Sequence, residues 1–204
     1  MVQGDHTGDT PLIDIAKAYI KEKYKKPGAV FLGLVHRLDR PTSGVLVMAR
    51  TSKALSRLNQ QFKDRKTGKI YRTLVEGKPK PQQQRLENWL VRNSKQNKSY
   101  AYSKEVPESK KAILTYTTKV ELDRYSGLEI HLETGRHHQI RTQLSAIGHP
   151  IKGDLKYNAK RSNKEGNIAL HAYKLSFYHP VKKEKMSFCA PLPKESLWAL
   201  FPDD

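Results

Sequence analysis

Apolar positions recur along the chain at helical spacing in three segments. The first covers residues 10–24, with Thr10 as the N-cap and Pro11 at the first helical position. The second follows a Thr-Ser cap at residues 51–52 and carries basic side chains opposite its apolar face. The third lies at about 137–147. Three helices are therefore predicted, and the apolar stripes of the last two are Leu55, Leu58 and Phe62, and Ile140, Leu144 and Ile147.

Extended spacing predicts strands between these helices. The clearest alternation of apolar and polar residues runs through residues 112–133, around a turn at residues 123–127. A polar turn at residues 39–43 separates two shorter apolar segments, and residues 78–111 predict one or two strands joined by exposed basic loops. Few helices among many strands indicate an α+β fold. The remaining predicted strands are residues 29–35, 45–49, 69–77, 169–177 and 186–190.

The charge of the chain points to its partner. The 204 residues include 38 Lys and Arg against 20 Asp and Glu, a formal net charge of +18. Such an excess favours a polyanionic partner, most commonly nucleic acid, although it also serves solubility. Tyrosines beside cations, at residues 69–72 and 98–102, suit base stacking and are equally ordinary strand residues. The basic loops within residues 78–111 are open to the same two interpretations, nucleic-acid contact or solvated insertion.

Cysteine usage and hydropathy restrict the redox environment and the membrane association expected for the protein. Cys189 is the only cysteine, so the chain has no internal disulfide and no cysteine-paired zinc site. No apolar run approaches the ~20 residues of a membrane span, and the N-terminus does not resemble a signal peptide. We therefore expect a reducing, cytoplasmic setting away from membranes. The length predicts one domain, or two tightly packed halves sharing a core, with a monomer as the default.

A carboxylate stands in the turn between the two short apolar segments. The sequence HRLDRPTSG, residues 36–44, places Asp39 between Arg37 and Arg40. Cations within ~4–6 Å favour the ionised carboxylate that a nucleophile requires. The Thr-Ser-Gly that follows suits a tight, ordered turn. An aspartate beside an arginine is also commonly an exposed ion pair, so the spacing alone leaves both roles open.

A second basic motif, TGRHHQIR, covers residues 134–141. Gly135 ends a strand, and we expect the helix to begin with both arginines and both histidines in its first turns, where anions bind readily. Arg136 is thus a candidate substrate-binding residue. Arg141 flanks the apolar stripe, so we expect it half-buried and directed into a cleft, although a solvated basic face explains the pattern equally well. The two histidines lack the spacing of a helical zinc motif, and no metal site is expected.

These motifs together resemble one known family. In order, HRLDRPTSG, TGRHHQIR, GHPIKGD at residues 148–154 and ALHAYKLSFYHP at residues 169–180 are similar to the motifs of the pseudouridine synthases that modify ribosomal and transfer RNA in bacteria. The similarity runs from about residue 7 to residue 193. Taken alone, the third motif indicates only an ordered loop. The resemblance implies a mixed, mainly antiparallel curved sheet with flanking helices, a central catalytic cleft, and no cofactor or metal.

The resemblance also implies roles for individual residues. Asp39 matches the catalytic aspartate, and Tyr71 matches the tyrosine that stacks on the target uracil and is implicated in removing the C5 proton. Arg141 matches the basic residue that pairs with the catalytic carboxylate. Arg37 matches the arginine that helps displace the target base from the RNA stack, and Leu170 matches an apolar residue packed beneath the site.

One departure concerns the N-terminus. Members of the family usually begin with a strand pair carrying a Lys-Pro element, and some carry a small helical RNA-binding domain in front. Here Met1 directly precedes the segment at residues 2–5 that follows those strands. We therefore interpret residues 1–204 as a single catalytic domain, shortened at its N-terminus and without a separate RNA-binding domain.

The implied function is isomerisation of specific uridines to pseudouridine, with large-subunit ribosomal RNA the first expectation and transfer RNA the second. Whether Asp39 attacks C1′ of the ribose or C6 of the uracil stays open. One alternative is a non-catalytic RNA-binding protein of the same fold. Another is a metal-dependent nuclease, which would need clustered carboxylates that the motifs do not provide.

Overall fold

The computed structural model describes residue 2 and residues 8–202, so most of the segment at residues 2–5 lies outside the described residues. No helix described has the length and apolarity of a membrane span. The helices are α1 (Leu12–Lys23), α2 (Ser52–Lys63) and α3 (Gln139–Ala146). The strands are β1 (Gly33–Leu34), β2 (Ser43–Gly44), β3 (Met48–Ala49), β4 (Gly68–Glu76), β5 (Gln83–Asn93), β6 (Lys98–Tyr102), β7 (Lys110–Glu121), β8 (Tyr125–Leu132), β9 (Leu170–Tyr178) and β10 (Lys185–Cys189).

One large sheet organises the described residues. Its strand order is β10-β9-β4-β8-β7-β5-β6, with every neighbouring pair antiparallel. The short β2 adds to β9 in parallel, and β1 pairs with β3 separately. One bulge lies on β9, where Tyr173 is the extra residue opposite Ile70/Tyr71 of β4, and another lies on β7 between Thr118 and Val120. Bulges bend the strands that carry them. The predicted α+β fold with a mixed, mainly antiparallel sheet is confirmed.

Two apolar clusters hold the helices against this sheet. Ile140 and Leu144 of α3 are buried with Leu114, Leu128 and Ile130 from the central strands. On α2, Leu58 is buried, with Leu55 and Phe62 half-buried, in a second cluster near β9. The apolar stripes predicted for α2 and α3 are therefore the faces that these helices bury, and the removal of such surface from water is the main stabilising contribution.

Two predicted helix starts are displaced. Helix α1 begins at Leu12, because Pro11 has an extended conformation with φ −65° and ψ 143° and therefore lies outside the helix. Helix α3 begins at Gln139, because His138 is left-handed at φ 51°. Both histidines therefore precede the helix, and of the two arginines only Arg141 is helical. The Thr51 cap is confirmed, since its side chain accepts the Ala54 amide hydrogen.

The predicted strands near the first motif were too long. Pairing is limited to two residues each in β1 and β3, and the rest of residues 29–35 and 45–49 belongs to no strand. The predicted turn at residues 123–127 was also misplaced, because Gly127 lies within β8. A side chain there would meet Val120 and Phe201, so this glycine allows close packing. The strand predicted at residues 69–77 is confirmed as β4.

Candidate active site

A cleft of about 640 Å³ lies where the first motif, β4 and the chain around the start of α3 meet. This volume is typical of small-ligand sites. The structure brings every site residue predicted from the sequence to its walls, namely Asp39, Tyr71, Arg141, Arg37, Arg136 and Leu170. Their roles stay predictions at this point, since proximity alone assigns none.

The loop that carries Asp39 is tied firmly to the sheet. The Asp39 carbonyl accepts the Thr42 amide hydrogen at 2.9 Å, which closes the predicted turn. Ser43 Oγ then lies 2.8 Å from His171 Nδ1, and β2 pairs with β9 immediately beyond. Gly44 has φ +122° and its backbone lies directly against Ala172, so no side chain fits there. These ties fix the position from which the Asp39 side chain enters the cleft.

Tyr71 and Leu170 form the apolar floor of the cleft. Leu170, at the start of β9, is buried, and Tyr71 is half-buried against the same core cluster. A bulge of β9 at Tyr173 lies opposite Ile70 and Tyr71, and bulges commonly re-aim a side chain beside a site. Burial, and secondarily the negative charge of Asp39, raise the pKa of the Tyr71 hydroxyl. Tyr71 is therefore a neutral phenol at physiological pH, which can stack and donate a hydrogen bond but is a weak base.

Arg141 has a second carboxylate partner, which the sequence did not reveal. The Nε and Nη2 atoms of Arg141 donate to Asp154 at 2.6 and 2.8 Å, the two-pronged pairing that arginine favours. Its remaining Nη1 donates to Asp39 Oδ2 at 3.3 Å. The side chain of Arg141 is 6% exposed and that of Asp154 is 1% exposed, against 31% for Asp39. Asp154 therefore holds Arg141 tightly, and Asp39 receives only a weaker single contact.

The electrostatics of Asp39 differ from the prediction made from its neighbours in sequence. Burial is the largest influence and raises the pKa of the Asp39 carboxyl, and the nearby Asp154 raises it further. Arg141 and, more weakly, Arg37 lower it, as expected, but the net pKa lies above the ordinary value of 3.8. Higher basicity in a carboxylate that remains ionised strengthens it as a nucleophile.

His138 and Tyr157 stand behind Asp39, and neither was predicted to have a role. His138 Nδ1 lies 2.9 Å from the Tyr157 hydroxyl, which itself accepts the Ser99 amide hydrogen at 2.8 Å. The Tyr157 hydroxyl can therefore donate to Nδ1, an arrangement that places the imidazole proton on Nε2. Burial, followed by the charge of Arg141, lowers the pKa of His138 to about 2, so the ring is neutral.

The two carboxylate oxygens of Asp39 consequently differ. His138 Nε2 is 3.7 Å from Oδ2, the same oxygen that Arg141 contacts. The longer separation is an electrostatic contact and not a hydrogen bond. Oδ1 receives no hydrogen bond from the described residues. One oxygen is thus anchored, and the other is available to a substrate in the cleft.

The loop that supplies Asp154 was predicted only as an ordered loop. Its order is evident in the backbone, because the Lys152 amide donates to the Leu74 carbonyl and Ile151 bridges to Val75. The available signal was a carboxylate at the end of a loop shaped by two glycines and a proline. Across the described part of the chain, no three His, Cys, Asp or Glu side chains are grouped as metal ligands would be.

Comparison with known proteins decides the family. The sequence pattern of the family described as RNA pseudouridylate synthase matches residues 3–146. The chain belongs to the RNA pseudouridylate synthase family. An uncharacterized RNA pseudouridine synthase of Aquifex aeolicus is 35% identical over 187 residues, covering 87% of this chain and 58% of the relative. A ribosomal large subunit pseudouridine synthase D of Zymomonas mobilis is 34% identical over 171 residues, covering 80% of this chain and 53% of the relative.

Solved structures of the RNA pseudouridylate synthase family share the fold. Human RNA pseudouridylate synthase domain containing 4 superposes with a TM-score of 0.78 at 22% identity, over 95% of this chain and 82% of that one. Human RNA pseudouridylate synthase domain containing 1 superposes with a TM-score of 0.69 at 27% identity, over 88% of this chain and 75% of that one. The predicted membership of the pseudouridine synthase family is confirmed. The chain spans about half the length of the curated relatives it matches, so family membership alone does not carry their activities over to it.

Proposed function

We propose that this chain is an RNA pseudouridine synthase in which Asp39 is the nucleophile. The observation that carries the proposal is the asymmetry of the Asp39 carboxylate inside a cleft sized for a nucleoside. Oδ2 contacts Arg141 and His138, while Oδ1 receives no hydrogen bond from the described residues and is the oxygen left to attack. Family membership supports the reaction class, and the +18 charge supports an RNA substrate.

The reaction follows from this geometry. A flipped uridine enters the cleft, at an unstacking cost of a few kcal/mol that is lower in an RNA loop. Asp39 Oδ1 attacks C1′ or C6, the bond between N1 and C1′ breaks, and the uracil turns within the cleft. C5 then bonds to C1′, and the bond between Asp39 and C1′ or C6 breaks, which restores the free carboxylate. C5 loses its proton and N1 gains one, so the product is an isomer of the substrate. Arg37 and Arg136 bind the RNA around the target, and Leu170 packs beneath the base.

Tyr71 stacks on the uracil and is the nearest candidate to assist loss of the C5 proton. Burial, the larger cause of its raised pKa, persists after Asp39 has bonded to the substrate, so Tyr71 stays a neutral phenol throughout. Tyr71 therefore assists as a relay, passing its own proton to a water molecule as it accepts the proton from C5.

We propose large-subunit ribosomal RNA as the substrate, with transfer RNA the alternative, and place the reaction in the cytoplasm. The relatives in Zymomonas mobilis and Borreliella burgdorferi are both named ribosomal large subunit pseudouridine synthase D. The second relative is 38% identical over 144 residues, which cover 70% of this chain. The alternative of a non-catalytic RNA-binding protein would not require the arrangement of Asp39, Tyr71 and Arg141 around one cleft.

Mapping pseudouridines in cells with and without this protein tests the proposed function. Carbodiimide modification followed by primer extension is expected to show at least one stop in large-subunit ribosomal RNA that depends on the protein. The purified chain is expected to create the same stop in an unmodified transcript. Stops that change only in transfer RNA would reassign the substrate. RNA binding without any new pseudouridine would favour the non-catalytic alternative.

A further inference from the structure

Three cations lie together at one end of the cleft. Lys69 on β4, Arg65 beyond the end of α2, and Arg136 before α3 all line its wall, and we call them the cationic rim. Burial and the charges of Arg65 and Arg136 lower the pKa of Lys69. Both charged neighbours that act on Lys69 are thus cations, and no carboxylate among the described residues lies within ion-pair distance of it.

The rim is built into the fold and is not a set of loose surface side chains. Arg136 donates its Nε to the Lys111 carbonyl at 3.0 Å, which leaves its two Nη groups without a hydrogen bond to the described residues. Lys69 is half-buried on the central strand β4. The adjacent His36 is neutral and adds no charge, because burial and Lys69 lower its pKa to about 4. Holding like charges together in a half-buried site is unfavourable unless an anion binds there.

The position of the rim relative to Asp39 limits which anion fits. Lys69 and Tyr71 are two residues apart on β4 and both line the cleft, with Cα atoms roughly 6.6 Å apart along an extended strand. Tyr71 in turn lies close enough to Asp39 to experience its charge. An anion at the rim would therefore lie about one nucleotide from the reacting carboxylate.

We propose that the cationic rim binds a backbone phosphate of the RNA immediately beside the target uridine, with Lys69 as its central ligand. This inference rests on the proposed function, because it requires the target base to lie over Tyr71. The guanidinium edge of Arg136 suits phosphate oxygens, and the ammonium of Lys69 serves as a point charge. The phosphate contact would hold the ribose in register with Asp39 while the base turns.

Nucleotide binding tests the rim without any turnover. Uridine, uridine 3′-monophosphate and uridine 5′-monophosphate would be titrated separately into the purified chain by calorimetry at low salt. At least one monophosphate is expected to bind about tenfold more tightly than uridine, a preference that matches one charge-assisted contact. Lys69→Met keeps the aliphatic stem and is expected to abolish this preference. Lys69→Arg is expected to retain it.

Lys53→Met is the matched control. Lys53 is exposed in the first turn of α2, ten residues and about 15 Å along the helix from the end that lines the cleft. This variant loses the same charge and is expected to keep the monophosphate preference. Equal affinity for uridine and both monophosphates in the wild-type chain would overturn the inference. So would a preference that survives in Lys69→Met, or one that Lys53→Met also loses.

The outcome of the nucleotide-binding test can be distinguished from the outcome of the test for pseudouridine formation. If the chain forms pseudouridine but shows no phosphate preference dependent on Lys69, the rim assignment fails and the proposed function stands. If the preference depends on Lys69 but no pseudouridine forms in any RNA, the anion site stands. Its placement beside a target uridine then fails together with the proposed function.

Discussion

Asp39→Asn is expected to reduce pseudouridine formation by at least about 10⁴-fold, as loss of a catalytic nucleophile commonly does. The amide keeps the shape of the side chain but carries no negative charge with which to attack C1′ or C6. RNA affinity is expected to change less than about threefold, because most of the binding comes from cations distributed over the surface. Nucleoside mass spectrometry of the RNA, together with fluorescence anisotropy for binding, measures both quantities.

Asp123→Asn is a suitable control for this prediction. Asp123 is exposed in the turn between β7 and β8, and its replacement removes the same charge outside the cleft. Turnover close to that of the wild-type chain is expected. Substantial turnover in Asp39→Asn would remove Asp39 from its role as nucleophile, and an equal loss in Asp123→Asn would show that the effect is not specific to the cleft.

Asp154→Ala is expected to lower the free energy of unfolding by about 3–5 kcal/mol, the usual cost of breaking a buried ion pair from one side. Asp154 is 1% exposed and accepts two hydrogen bonds from Arg141, whose side chain is 6% exposed. Without Asp154, the buried guanidinium would keep a single carboxylate partner, Asp39, at 3.3 Å. Urea unfolding followed by circular dichroism measures the change.

Two comparisons sharpen this second prediction. Glu87 forms ion pairs with Arg85 and Lys111 on the exposed surface, so Glu87→Ala is expected to leave the free energy of unfolding nearly unchanged. The double variant Asp154→Leu with Arg141→Met removes both buried charges and is expected to be more stable than Asp154→Ala alone. A loss below about 1 kcal/mol in Asp154→Ala would contradict the structural importance assigned to this pair.

The pattern of apolar residues was informative where an element buries one face. The stripes of α2 and α3 and the alternation through β7 and β8 depend on local spacing, and these elements formed as predicted. Short strands were harder to predict, because β1, β2 and β3 are defined by partners elsewhere in the fold. Likewise, Gly127 was mistaken for a turn residue because its close contact with Phe201 depends on the distant C-terminal segment.

The candidate site also combines features that local sequence spacing indicates with features that depend on distant parts of the fold. Spacing alone left Asp39 and Arg141 with ordinary surface alternatives, and the family resemblance distinguished them. The tie between Arg141 and Asp154 was not predictable from spacing, because it depends on the chain returning after α3 and docking beside β4. The raised pKa of Asp39 was missed for a related reason, since burial and Asp154 outweigh the two arginines.

The pH dependence of the single-turnover rate tests most directly whether ionised Asp39 performs the reaction. Because only the ionised carboxylate attacks, activity is lost as the pH falls through the Asp39 pKa. Burial and Asp154 raise that pKa, so the acid limb is expected at higher pH than for an ordinary aspartate. Arg141 lowers the same pKa, so Arg141→Leu is expected to slow the reaction severely and to move the limb to still higher pH.

His138 does not obscure this limb, since its pKa is lowered to about 2. The measurement is the rate of tritium release from RNA labelled at uridine C5, in the wild-type chain and in Arg141→Leu, at temperatures where both are folded. The proposed mechanism predicts a tenfold fall per pH unit below the limb, with the limb displaced upward in the variant. A wild-type rate that stays level below the ordinary aspartate pKa of 3.8, or a limb at the same pH in both proteins, would contradict it.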